Sequence, residues 1–190
     1  MLHKSDEEIK VFSTRLPMCF LLVATFVLSS TRPAFMSTST KAATVRTIST
    51  SQSFAESFDS YVRDLMVYLF RSYAANPDQI RMHIDTNEMS LGIDTAIPCG
   101  LIVSELVTNT LKYAFPAGRR GDLHVGLGAE DDGHLTLIVS DNGIGLPQDF
   151  DWRESDSLGL QLVSTLSAQL HGTIEVSGEG GTSYKITFPG

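Results

Sequence analysis

The chain has 190 residues, 42% of them hydrophobic and 19% charged, with a formal net charge of −8. This suits one domain that can bury a core, plus additional material. The acidic balance excludes nucleic-acid binding by phosphate neutralisation, which needs clustered Lys and Arg. Two cysteines, Cys19 and Cys99, argue against a disulfide scaffold or zinc site and fit a reducing, cytoplasmic compartment.

Residues 1–50 read as an N-terminal tail. Within them Met18 to Leu28 is almost unbroken apolar sequence, shorter than the roughly 20 residues of a spanning helix. Its length suits a signal-peptide core, and Lys4, Lys10 and Arg15 precede it. Asp6, Glu7 and Glu8 interrupt that charge, however, and no clear small-residue cleavage site follows. A buried or poorly folded N-terminal piece is the expectation, with membrane contact left open.

Residues 51–77 read as a connecting amphipathic helix. Phe54, Phe58, Tyr61, Val62, Leu65, Met66 and Leu69 recur at helical spacing, and Asn76-Pro77 stops the pattern. An α/β unit is expected over 78–190. Ile80 to Ile84 alternates as a half-buried strand, with Met89 to Ile93 as a partner strand. A long helix is expected from about Ile97 to Phe115, with Pro98 in its first turn. Strands follow near Leu123–Leu127 and Leu135–Ser140, then a Gly/Pro/Asp-rich loop over about 141–158. A second helix runs from about Gly159 to Leu170. Strands at Thr173–Val176 and Tyr184–Phe188 close the chain. This order predicts an α+β fold: a two-layer α/β sandwich whose mixed, mostly antiparallel sheet carries helices on one face.

Four segments could carry chemistry. On the first long helix, Glu105, Asn109 and Lys112 fall within roughly 60° of one another, opposite the apolar Val103, Leu106, Val107, Leu111 and Ala114. An ordinary solvated face is the alternative. Asn is a mediocre helix former, and a mid-helix Asn can place a carbonyl oxygen on a hard cation such as Mg²⁺. Asp141-Asn142-Gly143-Ile144-Gly145 follows a strand. Its carboxylate can accept a hydrogen bond from an exocyclic amine, and its glycines admit close backbone approach; a plain turn is the competing reading. Ser157-Leu158-Gly159-Leu160 opens a helix whose N-terminal N–H groups suit phosphate, or is simply a cap. Gly178-Glu179-Gly180-Gly181-Thr182 is a hairpin turn that could also bring the Thr182 hydroxyl to a ligand. Neither a Walker A pattern nor a G-x-G-x-x-G opening a βαβ unit occurs.

In order, Glu105-x-x-x-Asn109-x-x-Lys112-Tyr113, Asp141-x-Gly143-x-Gly145, Leu158-Gly159-Leu160 and Gly181-Thr182 resemble the asparagine box, two glycine boxes and terminal Gly-Thr of the Bergerat-type ATPases. That superfamily (GHKL) holds histidine kinases, type II topoisomerases and mismatch-repair ATPases. Over about 52–190 the chain is most similar to sensor histidine kinases whose acceptor helix reads H-H-R-x-K-N-N. The stretches that carry this likeness are Phe58 to Val62, Leu69 to Tyr73 and Ala96 to Leu101. The resemblance implies a Bergerat ATP-binding fold with ATP and Mg²⁺ as cofactors. Asn109 would hold the metal, and Asp141 would bind the adenine amine in a pocket shaped by Gly143 and Gly145. Lys112 and Tyr113 would approach phosphate or ribose, and Leu158, Gly159 and Leu160 would close on the phosphates. Residues 146–158 would form a lid. Glu105 matches the acid that orients water in the hydrolysing relatives and would tune the site in a kinase.

The implied activity is transfer of the γ-phosphoryl group of ATP to a histidine, with a response regulator or phosphotransfer protein as partner and a homodimer left open. None of His3, His83, His124, His134 or His171 fits an acceptor motif. The acceptor is therefore expected in a segment lost by truncation or a frame change, or in another protein. Two alternatives stand beside this: an anti-sigma-factor-type serine/threonine kinase, and a non-catalytic ATP-binding regulator or kinase remnant.

Overall fold

Helix α1 spans Ser57–Ser72 in the computed structural model, which describes residues 57–86, 89, 91–147 and 150–190. The tail at 1–50, the apolar run at 18–28, Phe54, Cys19 and His3 lie outside the described residues. The helical spacing seen in the sequence is the buried stripe of α1: Phe58, Val62, Leu65, Met66, Leu69 and Phe70 all enter the core. The helix stops before Asn76, whose backbone carbonyl accepts the N–H groups of Gln79 and Ile80. Its side chain takes the Asp78 N–H at 2.9 Å.

Strand β1 follows at Ile80–Asp85, and helix α2 at Ile93–Asn109. Here the structure departs from the sequence reading. The expected strand at Met89–Ile93 is not formed: Met89 lies outside any strand and Ile93 is the first residue of α2. The alternation of Met89, Leu91 and Ile93 imitates a strand. Yet only Leu91 is buried, at 4% exposure, while Ile93 is 43% exposed. Gly92 caps the helix instead, its carbonyl accepting the N–H groups of Thr95 and Ala96. Pro98 therefore sits inside α2 rather than in its first turn. A proline there removes one helical hydrogen bond and crowds the preceding turn. Full burial of Cys99, Ile102 and Val103 just beyond it offsets that cost. The same burial pushes the Cys99 thiol up to about 12.

The helix also ends differently. It runs as an α-helix only to Asn109, then widens into a π-helical turn at Thr110–Ala114 and a short 3₁₀ turn at Pro116–Gly118. Strands β2 (Gly121–Ala129) and β3 (His134–Asp141) form the expected hairpin, α3 spans Leu158–Gln169, and β4 (Thr173–Ser177) and β5 (Thr182–Pro189) close the sheet.

The five strands are ordered β1-β2-β3-β5-β4. β1 and β2 are parallel and the other neighbours antiparallel, so the sheet is mixed and mostly antiparallel, as expected. One face of the central strands supplies Leu123, Val125, Leu127, Leu135, Leu137, Val139, Tyr184, Ile186 and Phe188, all buried. They join a single cluster with the apolar residues of α1, α2 and α3. The period-2 alternation of the strands thus meets the helical stripes in one core. Asp141, at the end of β3, pairs with Leu123 on one side and Thr182 on the other.

Candidate active site

The end of β3 is built around the Asp141 carboxylate. Its Oδ1 accepts the Gly143 N–H at 2.9 Å and the Thr182 N–H at 3.2 Å. Its Oδ2 accepts the Thr110 hydroxyl at 3.0 Å. The carboxylate is half-buried, and its charge adds to burial in pushing the Tyr184 phenol up to about 12.

Two glycines make this arrangement possible. Gly143 is buried, and any Cβ there would overlap the Ala114 backbone. The Ile144 N–H donates to that same Ala114 carbonyl at 3.0 Å, stitching the loop to the π turn. Gly181 has φ of 136°, a conformation open in practice to glycine alone, and a Cβ there would run into the Asp141 carbonyl. Gly145 lies against the Gly178 carbonyl, so both glycine turns meet beside Asp141. The structure thus brings Asp141, Gly143, Gly145 and Thr182 together.

A second group gathers where α2 faces the start of α3. Glu105 is 7% exposed. Burial raises its carboxyl above the ordinary value, and the Lys112 charge pulls it partly back. A Cβ at Gly159 would stand 2.7 Å from Glu105 Oε2, so the first turn of α3 packs on this carboxylate. Leu160 anchors that turn in the core, while Leu158 is 60% exposed. Ser157 gives α3 no side-chain cap, which leaves its leading N–H groups open to an anion. Lys112 is exposed, and its ammonium lies over the Tyr73 ring, 5.4 Å from the centroid. Asn109, the last residue of α2, and Tyr113, on the π turn, are both half-buried.

Thr110 joins the two groups. It follows Asn109 directly and binds Asp141. Sequence reasoning passed over it, because a helix turns it about 100° away from Asn109 toward the buried face, where the end of β3 brings Asp141 to meet its hydroxyl. Tyr73 and Asn142 were also missed as contributors. Neither carries a local signal, since their partners lie far along the chain. Next to the glycine turns a cavity of about 450 Å³ is lined by Leu146, Pro147, Phe150, Trp152, Val176, Gly178 and Glu179. It contains none of the residues expected to hold nucleotide. Among the described residues no group of three or more His, Cys, Asp and Glu could hold a metal ion, and no helix is long and apolar enough to cross a membrane. The four described histidines all lie on strands or in a turn.

Comparison with known proteins agrees with this architecture. The chain is 40% identical over 104 residues to the sensor histidine kinase PdtaS of Mycobacterium tuberculosis, covering 52% of this chain and 20% of that protein. It is 31% identical over 111 residues to blue-light-activated histidine kinase 2 of Erythrobacter litoralis, covering 58% of this chain and 32% of that one. The chain thus corresponds to less than a third of either relative's length. Among solved structures, the histidine kinase domain of a blue-light activated histidine kinase from Erythrobacter litoralis superposes with a TM-score of 0.64 at 26% identity, covering 70% of this chain and 60% of that one. Residues 95–190 match the family model described as "Histidine kinase-, DNA gyrase B-, and HSP90-like ATPase". That match takes in half of the chain and every motif from Glu105 to Thr182, and the chain belongs to this ATPase family.

Proposed function

We propose that this chain is the ATP-binding catalytic part of a sensor histidine kinase, with residues 78–190 as the nucleotide-binding unit and 51–77 as its connecting helix. The observation that carries the reading is the state of Asp141. A carboxylate offers about four lone-pair positions. Three are taken by the Gly143 N–H, the Thr182 N–H and the Thr110 hydroxyl. The fourth suits the exocyclic amine of adenine. At the same ring position guanine carries a carbonyl oxygen, which a carboxylate repels.

The triphosphate would run from Asp141 toward Glu105 and the start of α3. Lys112, freed from the Tyr73 ring, would meet phosphate, with Tyr113 near phosphate or ribose. Leu158, Gly159 and Leu160 would present the open N–H groups of α3. The residues fit a magnesium ion that rests largely on phosphate and water, with the Asn109 amide oxygen as its protein ligand, as that ion prefers. Bound there, the metal supplies neutralisation of phosphate charge during transfer. Glu105 tunes the field at the phosphates, and Gly143, Gly145 and Thr182 shape the base pocket. The acceptor is a histidine in another protein or in a segment that this sequence does not include, and a response regulator or phosphotransfer protein takes the group onward.

The test uses the full 190-residue chain and displacement of a fluorescent ATP analogue. Asp141→Asn should weaken ATP binding by about 10- to 100-fold, the loss of a hydrogen bond to a charged group. Unchanged affinity would overturn the base-site assignment. Incubation with labelled ATP and candidate acceptors then tests the activity. Acid-labile label marks phosphohistidine; acid-stable label would instead indicate a serine or threonine kinase.

A further inference from the structure

We infer that Asn142 is a positioning residue for base recognition, clamped by Asp122 so that the Asp141 carboxylate faces the nucleotide. The inference rests on the assignment of adenine to Asp141.

Asn142 stands between Asp141 and Gly143, and its side chain forms a closed ring with Asp122 on β2. The Asp122 N–H donates to Asn142 Oδ1 at 2.7 Å, and Asn142 Nδ2 donates to Asp122 Oδ2 at 3.0 Å. The backbones also join, the Asn142 N–H donating to the Asp122 carbonyl at 3.2 Å. On the far side the Arg119 guanidinium donates to the Asn142 carbonyl at 3.3 Å. The β2–β3 pairing ends at Leu123 and Asp141, so the ring extends the ladder by one rung through a side chain. It fits so closely that a Cβ at Gly121 would strike Asn142 Oδ1.

Asp122 is itself held from β1. The parallel register sets Arg81 opposite Asp122. Arg81 Nε lies 2.9 Å and His83 Nε2 3.0 Å from Asp122 Oδ1. The His83 bond first, and then Arg81, keeps the Asp122 carboxyl below its ordinary value, so it remains an ionised acceptor for Asn142. Exposed ion pairs of this kind add little to global stability. Their consequence is geometric. With Asn142 fixed on both sides, the Asp141–Gly143 turn has one orientation, and the free acceptor position on Asp141 has one direction. A displacement of about 1 Å at such a contact is enough to cost a large factor in recognition.

The experiment compares ATP and GTP affinity in the full chain, with thermal unfolding recorded in parallel. Asn142→Ala should weaken ATP binding about tenfold and lower the ATP-over-GTP preference by a similar factor, with an unfolding midpoint within about 2 °C of the parent. Asn142→Asp, which sets two carboxylates face to face, should do the same. Adding Asp122→Asn to it restores an amide–carboxylate pair and should recover most of the preference. Equal weakening of ATP and GTP, or a double variant no better than Asn142→Asp alone, overturns the clamp. Asp141→Asn is run alongside. If it weakens ATP binding while Asn142→Ala does not, the clamp fails and the base site stands; if neither does, the base site itself fails.

Discussion

Around Asp141 the carboxylate already accepts three hydrogen bonds and the following loop is tied to the π turn. Around Glu105 the carboxylate is buried with the Lys112 charge as its electrostatic relief, and the Lys112 ammonium rests on an aromatic ring rather than on an acid. In the proposed reading the base end is assembled in advance, whereas the phosphate end is held in a provisional arrangement. The difference follows from chemistry. A neutral, flat base is recognised by direction, so its partner must be fixed. A polyanion is recognised by charge, so its partners can be flexible until it arrives.

Several substitutions would break or sharpen this contrast. Gly181→Ala strikes the fixed end hardest, since a Cβ would meet the Asp141 carbonyl at a φ of 136°. It should cost about 3 kcal/mol or more in denaturant unfolding and abolish nucleotide binding. Lys112→Met should weaken ATP about tenfold while leaving adenosine affinity unchanged. If adenosine weakens equally, the division into two ends is wrong. Tyr73→Leu releases the ammonium from its resting place. ATP affinity should rise by about two- to fivefold, the value of an exposed cation–π contact, again with adenosine unmoved.

The smallest effect is expected of Glu105→Gln. The raised carboxyl means the native state holds more protons than the unfolded state above the ordinary carboxylate range. Wild-type stability therefore falls as pH rises through that window. The Gln variant lacks this slope, so its unfolding midpoint should exceed the parent's by about 2 °C at pH 8 and match it at acidic pH. An offset that does not vary with pH would show that Glu105 carries no burial penalty.

Elements with a clean period were legible in the sequence. The stripe of α1, the β2–β3 hairpin and β5 were expected within a few residues, because each buries one face and its pattern records which. What could not be read were features set by distant partners. Pro98 argues locally for a helix start, yet the helix begins at Ile93 under the Gly92 cap, and the burial of Cys99 and Ile102 offsets the cost of the proline inside it. The π turn has no local composition. It exists because Thr110 reaches Asp141 and Ala114 receives Ile144, contacts some thirty residues apart. The parallel pairing of β1 with β2 was likewise invisible, since both strands alternate as an antiparallel pair would. For the proposed site, the motifs named Asp141, Gly143, Gly145 and Thr182, which the structure brings together, but the contrast between that fixed group and the looser one at Glu105 and Lys112 has no local signal.

The strand order carries one more implication. Among the described strands β5 comes last along the chain, yet it lies between β3 and β4. Until residue 182 emerges, a nascent chain presents β3 with an open edge, a template for intermolecular pairing. The Thr182 N–H that β5 brings to Asp141 is also absent until then. A chain that stops before residue 182 therefore leaves the β3 edge unpaired and the Asp141 carboxylate with one hydrogen bond fewer.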